Sequence, residues 1–304
     1  MIFSVSRMDT PSRHTPGIWL LLVLVFAPVA ALRAEHHMSV HFNGDLGLGY
    51  DSNPGNSQNE QDIRDSSFAS GGLHAQYARH FTSFTSLQVR GSLLGEAHEG
   101  VEGLSNGRTV GMLRLVHRPA GGFFMPSFAI WGSAGWLEYN SRLRDGNEFR
   151  AGVSMTQPVN TAFTARLSVM ASERNSTSEV FDLSGVSAGL NVDWRLLPAL
   201  TLYSAYQFYQ GDVASSTSQL LSGIGEPDDA YKTLAVSGKF SHISGGSLFA
   251  YRLDADSNIF TVGGNQSLSR NLSLDLQAQY LDVQADEGSR YERWITQAAL
   301  LARF

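Results

Sequence analysis

Seven basic residues, Arg90, Arg114, Arg150, Arg166, Lys239, Arg252 and Arg293, occupy polar positions in seven separate segments whose neighbouring positions are apolar. A guanidinium is a permanently charged planar fork of donors, so a wall of such groups is chemistry for binding anions. Asp45, Asp193 and Asp275 are the clear acids on the same polar faces. Most other acids fall between the segments, where Asp62, Asp65, Glu96, Glu99, Glu102, Asp228 and Asp229 outline an acidic rim.

Nucleophilic and metal chemistry find less support. The chain has no cysteine, which removes disulfides, thiolate ligands and a cysteine nucleophile. In Tyr50-Asp51-Ser52-Asn53 a serine stands near an acid, but Tyr50 occupies the place where a histidine base is required, and an unactivated serine is a poor nucleophile. His98, beside Glu96 and Glu99, reads as a solvated loop histidine. No phosphate loop and no paired catalytic carboxylates stand out. The chain therefore reads as a non-enzyme with no catalytic residues, no cofactor and no metal site. Its basic residues are dispersed over many segments, which argues against nucleic acid as a partner.

The elements that position these residues come from the hydrophobic pattern. Residues 1–34 read as a secretory signal peptide, with Arg7 and Arg13 preceding an apolar run from Ile18 to Leu32 and small residues at Ala31 and Ala34. Mean hydropathy is −0.13, so the remainder holds no reservoir for spanning helices. From residue 35 onward the chain reads as one domain of segments with period-two alternation. Val40, Phe42, Leu46, Leu48 and Tyr50 alternate with polar residues and glycines, as do Leu272, Leu274, Leu276, Ala278 and Tyr280. The pattern predicts about 14 strands: 39–50, 67–79, 84–95, 108–118, 123–137, 147–157, 162–172, 181–195, 200–210, 230–241, 247–253, 258–268, 272–281 and 291–304.

Connections alternate between tight turns and longer stretches rich in Gly, Ser, Asn and Asp; 51–66 and 211–229 are the longest. That asymmetry, with strands near the length a bilayer requires, predicts an all-β transmembrane antiparallel up-and-down barrel in the bacterial outer membrane. A soluble sandwich would alternate too, but without the loop asymmetry. Aromatics support two interfacial girdles: Tyr50, Phe68, Trp136, Phe181, Tyr209, Tyr231 and Trp294 near the long-loop ends, and Tyr77, Phe84, Phe124, Phe163, Trp194, Phe240 and Phe304 near the tight turns. The last segment puts Trp294, Thr296, Ala298, Leu300, Ala302 and Phe304 on one face, and its terminal aromatic resembles the C-terminal signal read when such barrels are inserted. Trp294 and Phe304 are the candidate insertion signal, and the barrel assembly machinery the implied partner.

In a barrel the basic positions become a lumen wall, and two readings stand. A water-filled passage would favour anions at its waist; arginines paired to carboxylates would instead brace a closed, structural or adhesive barrel. The net charge of −6 leaves the rim with two readings as well. It is ordinary loop solvation, or an acidic mouth that gathers cations shared with lipopolysaccharide.

Gly47-Leu48-Gly49-Tyr50-Asp51-Ser52-Asn53-Pro54-Gly55-Asn56 resembles the run that opens the barrel of surface lipoprotein assembly modifiers (Slam). The resemblance implies a 14-stranded translocation barrel that helps a client protein reach the surface. That family carries a periplasmic tetratricopeptide domain ahead of its barrel, which this sequence lacks. It implies no catalytic residues.

Overall fold

A computed structural model describes residues 38–217, 249–286 and 288–304, apart from the side chains of Glu102 and Phe249. The expected signal peptide, the predicted strand 230–241, Lys239, Asp228 and Asp229 lie outside the described residues. The twelve strands are β1 (Met38–Asp51), β2 (Ser66–His80), β3 (Thr85–His98), β4 (Asn106–His117), β5 (Ser127–Tyr139), β6 (Gly146–Pro158), β7 (Phe163–Ser176), β8 (Leu183–Leu197), β9 (Leu200–Thr217), β10 (Phe249–Ser267), β11 (Leu272–Ala285) and β12 (Arg290–Arg303). Each pairs antiparallel with its sequence neighbour. β1 closes on β12, from Asn43 opposite Arg303 to Asp51 opposite Ile295, so the sheet has no edge.

Parity decides which way each side chain points. On β1, Leu46 and Leu48 are 72% and 69% exposed to the outside, whereas Asp45 reaches His74 of β2 across the interior. The same outward apolar set continues round the barrel through Leu73, Leu113, Ile130, Val153, Val169, Val186, Val262 and Leu276. A belt of large apolar side chains facing outward, over strands laddered to a neighbour on each side, is a surface whose solvent is lipid.

Among the described residues the strand count is twelve, not the fourteen expected. The predicted strands 247–253 and 258–268 are one continuous strand, β10, and the loop expected at 254–257 is part of it. The cause is a change of hydrophobic phase within that strand. Phe260 and Val262 point outward, while Tyr251, Leu253 and Ala255 point inward and are buried. Beyond the lipid belt the outside is water and the interior is packed, so apolar residues move to the other parity. A sequence reading takes that slip for a break. β11 makes the same switch between Tyr280 and Leu281, and the result is a small core of Tyr251, Leu253, Ala255, Val283, Ala285 and Tyr291 inside one end of the barrel. β9 pairs directly with β10 over its whole length, so the barrel closes without another strand between them.

The aromatic girdles need partial correction. Tyr50, Trp136 and Trp294 face outward at the long-loop end, and Phe84, Phe124, Phe163, Trp194 and Phe304 do so at the other. Phe163 and Trp194 stack, with centroids 5.5 Å apart. Phe68 and Tyr209, however, share the inward parity, Phe68 lying against the His98 ring. Phe181 is 1% exposed in a short 3₁₀ turn, with Arg144 over its ring at 4.0 Å. Those rings pack the mouth rather than touching the lipid boundary. Tyr231 and Phe240 lie outside the described residues.

Candidate functional site

Four of the seven predicted basic positions share the inward parity. Arg90 on β3, Arg114 on β4, Arg150 on β6 and Arg166 on β7 all point inward, with Leu93, Leu113, Phe149 and Leu167 pointing outward beside them. Arg108 on β4 has the same inward parity as Arg114 and extends the wall; its alternation was equally visible in the sequence. Arg150 pairs with Glu148 on its own strand at 2.7 Å, and Arg166 donates to the Thr156 hydroxyl at 3.2 Å. Among the described residues Arg90, Arg108 and Arg114 make no ion pair, and the buried Nε atoms of Arg90, Arg108, Arg114 and Arg150 have no acceptor.

The facing strands carry a different chemistry. Gln277 and Gln297 bond to each other at 3.0 Å, and Gln297 also donates to Ser70 at 2.9 Å. Tyr203 donates to Asp275 at 2.8 Å, and Asn265 donates to the same carboxylate. The interior thus has one cationic side, on β3, β4, β6 and β7, and one side of amides, hydroxyls and acids.

Two basic positions depart from the prediction. Arg252 is not on the lumen wall. It shares the outward parity of Asp212 and Asp254 on the part of β10 where the phase has switched, lies 4.0 Å from Asp212, and donates to the carbonyls of Glu179 and Asp182. Arg293 does point inward, but as a clamp. Its Nε lies 2.9 Å and 3.1 Å from the Asp51 carboxylate oxygens, a second nitrogen holds the same carboxylate, and Nη1 donates to Asn56 at 3.1 Å.

That clamp fixes the loop of residues 52–65, which leaves β1 through the Asp-Ser-Asn-Pro-Gly-Asn run. Ser52 continues the ladder onto Trp294 of β12. The Asn53 side chain accepts from the Ser57 N–H at 2.9 Å and donates to its carbonyl at 2.8 Å, so the loop turns on one buried amide. Asn56, at φ 53°, donates to the Ala214 carbonyl on β9 and accepts at its own carbonyl from Ser215. In barrel order β9 is four strands from β1, so the loop runs inward beside the upper ends of β12, β11 and β10 instead of out into solvent. Thr217 holds its far limb through Asp62 at 3.2 Å.

Of the expected acidic rim, Asp62, Asp65, Glu96 and Glu99 have described side chains. Asp65 is exposed and accepts from the Tyr50 hydroxyl, and Glu99 is exposed beyond β3. Glu96 lies within β3, points inward and binds His98 at 2.7 Å, while His98 touches Ser66 at 3.2 Å. His98 is therefore a 9% exposed packing residue, not a solvated one. Beyond the strands, burial pushes the Arg144 guanidinium down to about 10; Tyr139 opposes the fall and Arg174 adds to it.

A second histidine contact has the connectivity of a nucleophile relay: Asp45 Oδ1 to His74 Nε2 is 2.8 Å, and His74 Nδ1 to Ser92 Oγ is 2.9 Å. Gly72 makes it possible, because a Cβ there would lie 2.6 Å from Asp45 Oδ1. The strands on either side are fully laddered, which leaves no pair of free backbone N–H groups to stabilise an oxyanion. The relay braces three strands.

No family model matches the chain, and no curated protein matches it. Among solved structures the chain is similar to an outer membrane channel from Pseudomonas putida F1, at 12% identity and a TM-score of 0.55 over 87% of this chain and 95% of that one. It is also similar to the KdgM porin, solved in complex with disordered oligogalacturonate, at 8% identity and a TM-score of 0.43 over 86% and 99%. The NanC porin matches at 8% identity and 0.42 over 84% and 98%. The fold is the closed antiparallel barrel of outer-membrane channels.

Proposed function

We propose that this protein is a passage across the bacterial outer membrane that prefers small anionic solutes. The observation that supports it most is the arginine wall. A barrel built to be closed would spend its arginines on opposing carboxylates, yet among the described residues Arg90 and Arg114 face the lumen without an ion pair, and Arg166 meets a hydroxyl. Cationic side chains on a narrow polar waist lower the barrier for anions and raise it for cations. Twelve strands enclose more than the side-chain-filled eight-stranded barrels and less than the wide porins, which suits a narrow passage. Insertion through Trp294 and Phe304, by way of the assembly machinery, and contact of the Asp65–Glu99 rim with lipopolysaccharide belong to the same reading.

Translocation of a protein client, which the Slam resemblance implies, has less behind it. The Asp51–Asn56 run that carries the resemblance is tied by side-chain bonds across four strands at the mouth, where a polypeptide would have to pass.

Single-channel recording of the refolded protein in a planar bilayer under a salt gradient tests the proposal. Steady openings with an anion-positive reversal potential are expected, and replacing Arg90, Arg114, Arg150 and Arg166 by glutamine should bring the selectivity toward unity. A folded barrel that is silent, or selects cations, would refute it.

A further inference from the structure

One part of the wall carries more than charge. Trp131 on β5 points inward, directly opposite Arg114 of β4 on one side and Gly152 of β6 on the other. Its indole lies over Gly152, where an added Cβ would meet ring carbons at 2.9 Å and 3.0 Å. The other tryptophans of the described strands, Trp136, Trp194 and Trp294, face lipid, so this is the lumen's tryptophan. Met170 pairs with Gly152 on the far side. Met112 is opposite Ser133, as is Arg150 from the other strand, one inward step along β5 from Trp131. An aromatic plate flanked by two thioethers is a poor lining for a hydrated inorganic ion. It is a good one for a flat apolar body. Arg114 and Arg150 stand at its margin; among the described residues Arg114 makes no ion pair, and Arg150 is held by Glu148 through one of its terminal nitrogens. Stacked guanidinium–ring pairs occur at Phe81, Phe181 and Tyr139, and none among the described residues covers Trp131.

We propose that the Trp131 wall is a binding station for aromatic carboxylates, with the ring on the indole and thioethers and the carboxylate on the forks of Arg114 and Arg150. It rests on the anion-passage reading and deepens it by naming the solute class. The planar fork matches a planar carboxylate bidentately, and Gly152, which has no Cβ, lets the Trp131 indole lie against the strand.

The test uses the full-length protein in a planar bilayer. The salt-gradient selectivity is taken first, and benzoate, acetate, benzyl alcohol and inorganic phosphate are then added separately as blockers of the chloride current. Benzoate is expected to interrupt the current at concentrations at least about ten-fold below the other three. Trp131→Ala and Gly152→Val should each remove the advantage of benzoate over acetate while keeping the anion preference; heat-modifiable migration on gels checks that both variants fold. An anion-preferring pore in which benzoate, acetate and phosphate block alike overturns the station and leaves the passage standing. So does an unchanged benzoate-to-acetate ratio in a folded Trp131→Ala protein. A pore without anion preference overturns both readings together.

Discussion

Replacing Arg293 by alanine should destabilise the barrel more than any single alanine substitution at the lipid-facing surface of β12. Asp51 is the reason. Its side chain is 2% exposed, and apart from the Asn53 N–H at 3.0 Å the guanidinium is its charge partner. Removing one member of a buried pair strands the other, at a cost of roughly 3–5 kcal/mol. Arg293 keeps 21% of its side chain exposed, so part of the lost charge is replaced by lumen water and the low end, about 3 kcal/mol, applies. That is roughly a 150-fold change in the folding equilibrium. Asp51→Ala leaves a cation that still reaches Asn56 and solvent, and should cost about 1.5 kcal/mol. The double variant should cost about 3 kcal/mol, less than the sum. Equilibrium urea unfolding in lipid vesicles, followed by tryptophan fluorescence, reads all three. Equal single costs that add to within about 0.5 kcal/mol would refute the clamp.

Gly72→Ala places a Cβ against the Asp45 carboxylate and is expected to cost about 1–3 kcal/mol in the same assay, whereas Gly107→Ala, with open space around its Cβ, should cost little. Parity can be tested on adjacent residues of β11. Leu276→Arg faces lipid and should cost about 2–4 kcal/mol, while Gln277→Arg faces the lumen and should cost under about 1 kcal/mol. Phe304→Ala should slow assembly into membranes containing the insertion machinery while leaving the folded barrel's urea midpoint nearly unchanged, since the ring is 77% exposed; equal assembly rates would remove it as a signal.

The parity of most strands was legible in the sequence because one solvent, lipid, acts along most of each strand. That placed Arg90, Arg114, Arg150 and Arg166 inward and Leu276 and Trp294 outward. Legibility failed where the solvent changes along one strand. Asp254 and Asp256 look like a polar loop until they are seen as the wet outer face of β10, opposite buried Leu253 and Ala255. The same switch turned Arg252 outward. Glu96 and His98 were misplaced for a related reason: β3 continues past the lipid belt, and two acids near a histidine resemble a loop. The role of Arg293 was out of reach for another cause. Its partner is 242 positions away, and only barrel closure between β1 and β12 brings them together.

The latch and the wall divide the passage into two parts built on mostly different strands. The loop is anchored through Asp51, Asn56 and Thr217 on β1, β9 and β12, whereas the arginines and Trp131 stand on β3 to β7. Obstruction at the mouth and selectivity at the waist are therefore separable. Loosening the loop by removing Arg293 and Asp51 together takes a neutral pair from the mouth and leaves the wall's field unaltered, so conductance should rise while the reversal potential stays where it was. Neutralising Arg90 and Arg114 should do the reverse, since neither side chain touches the loop. A barrel in which both changes moved both quantities together would have its mouth and waist in one place. The register forbids that: Asp51 is the last residue of β1, while Arg90 lies eight residues before the end of β3 and Arg114 three before the end of β4 at the opposite rim.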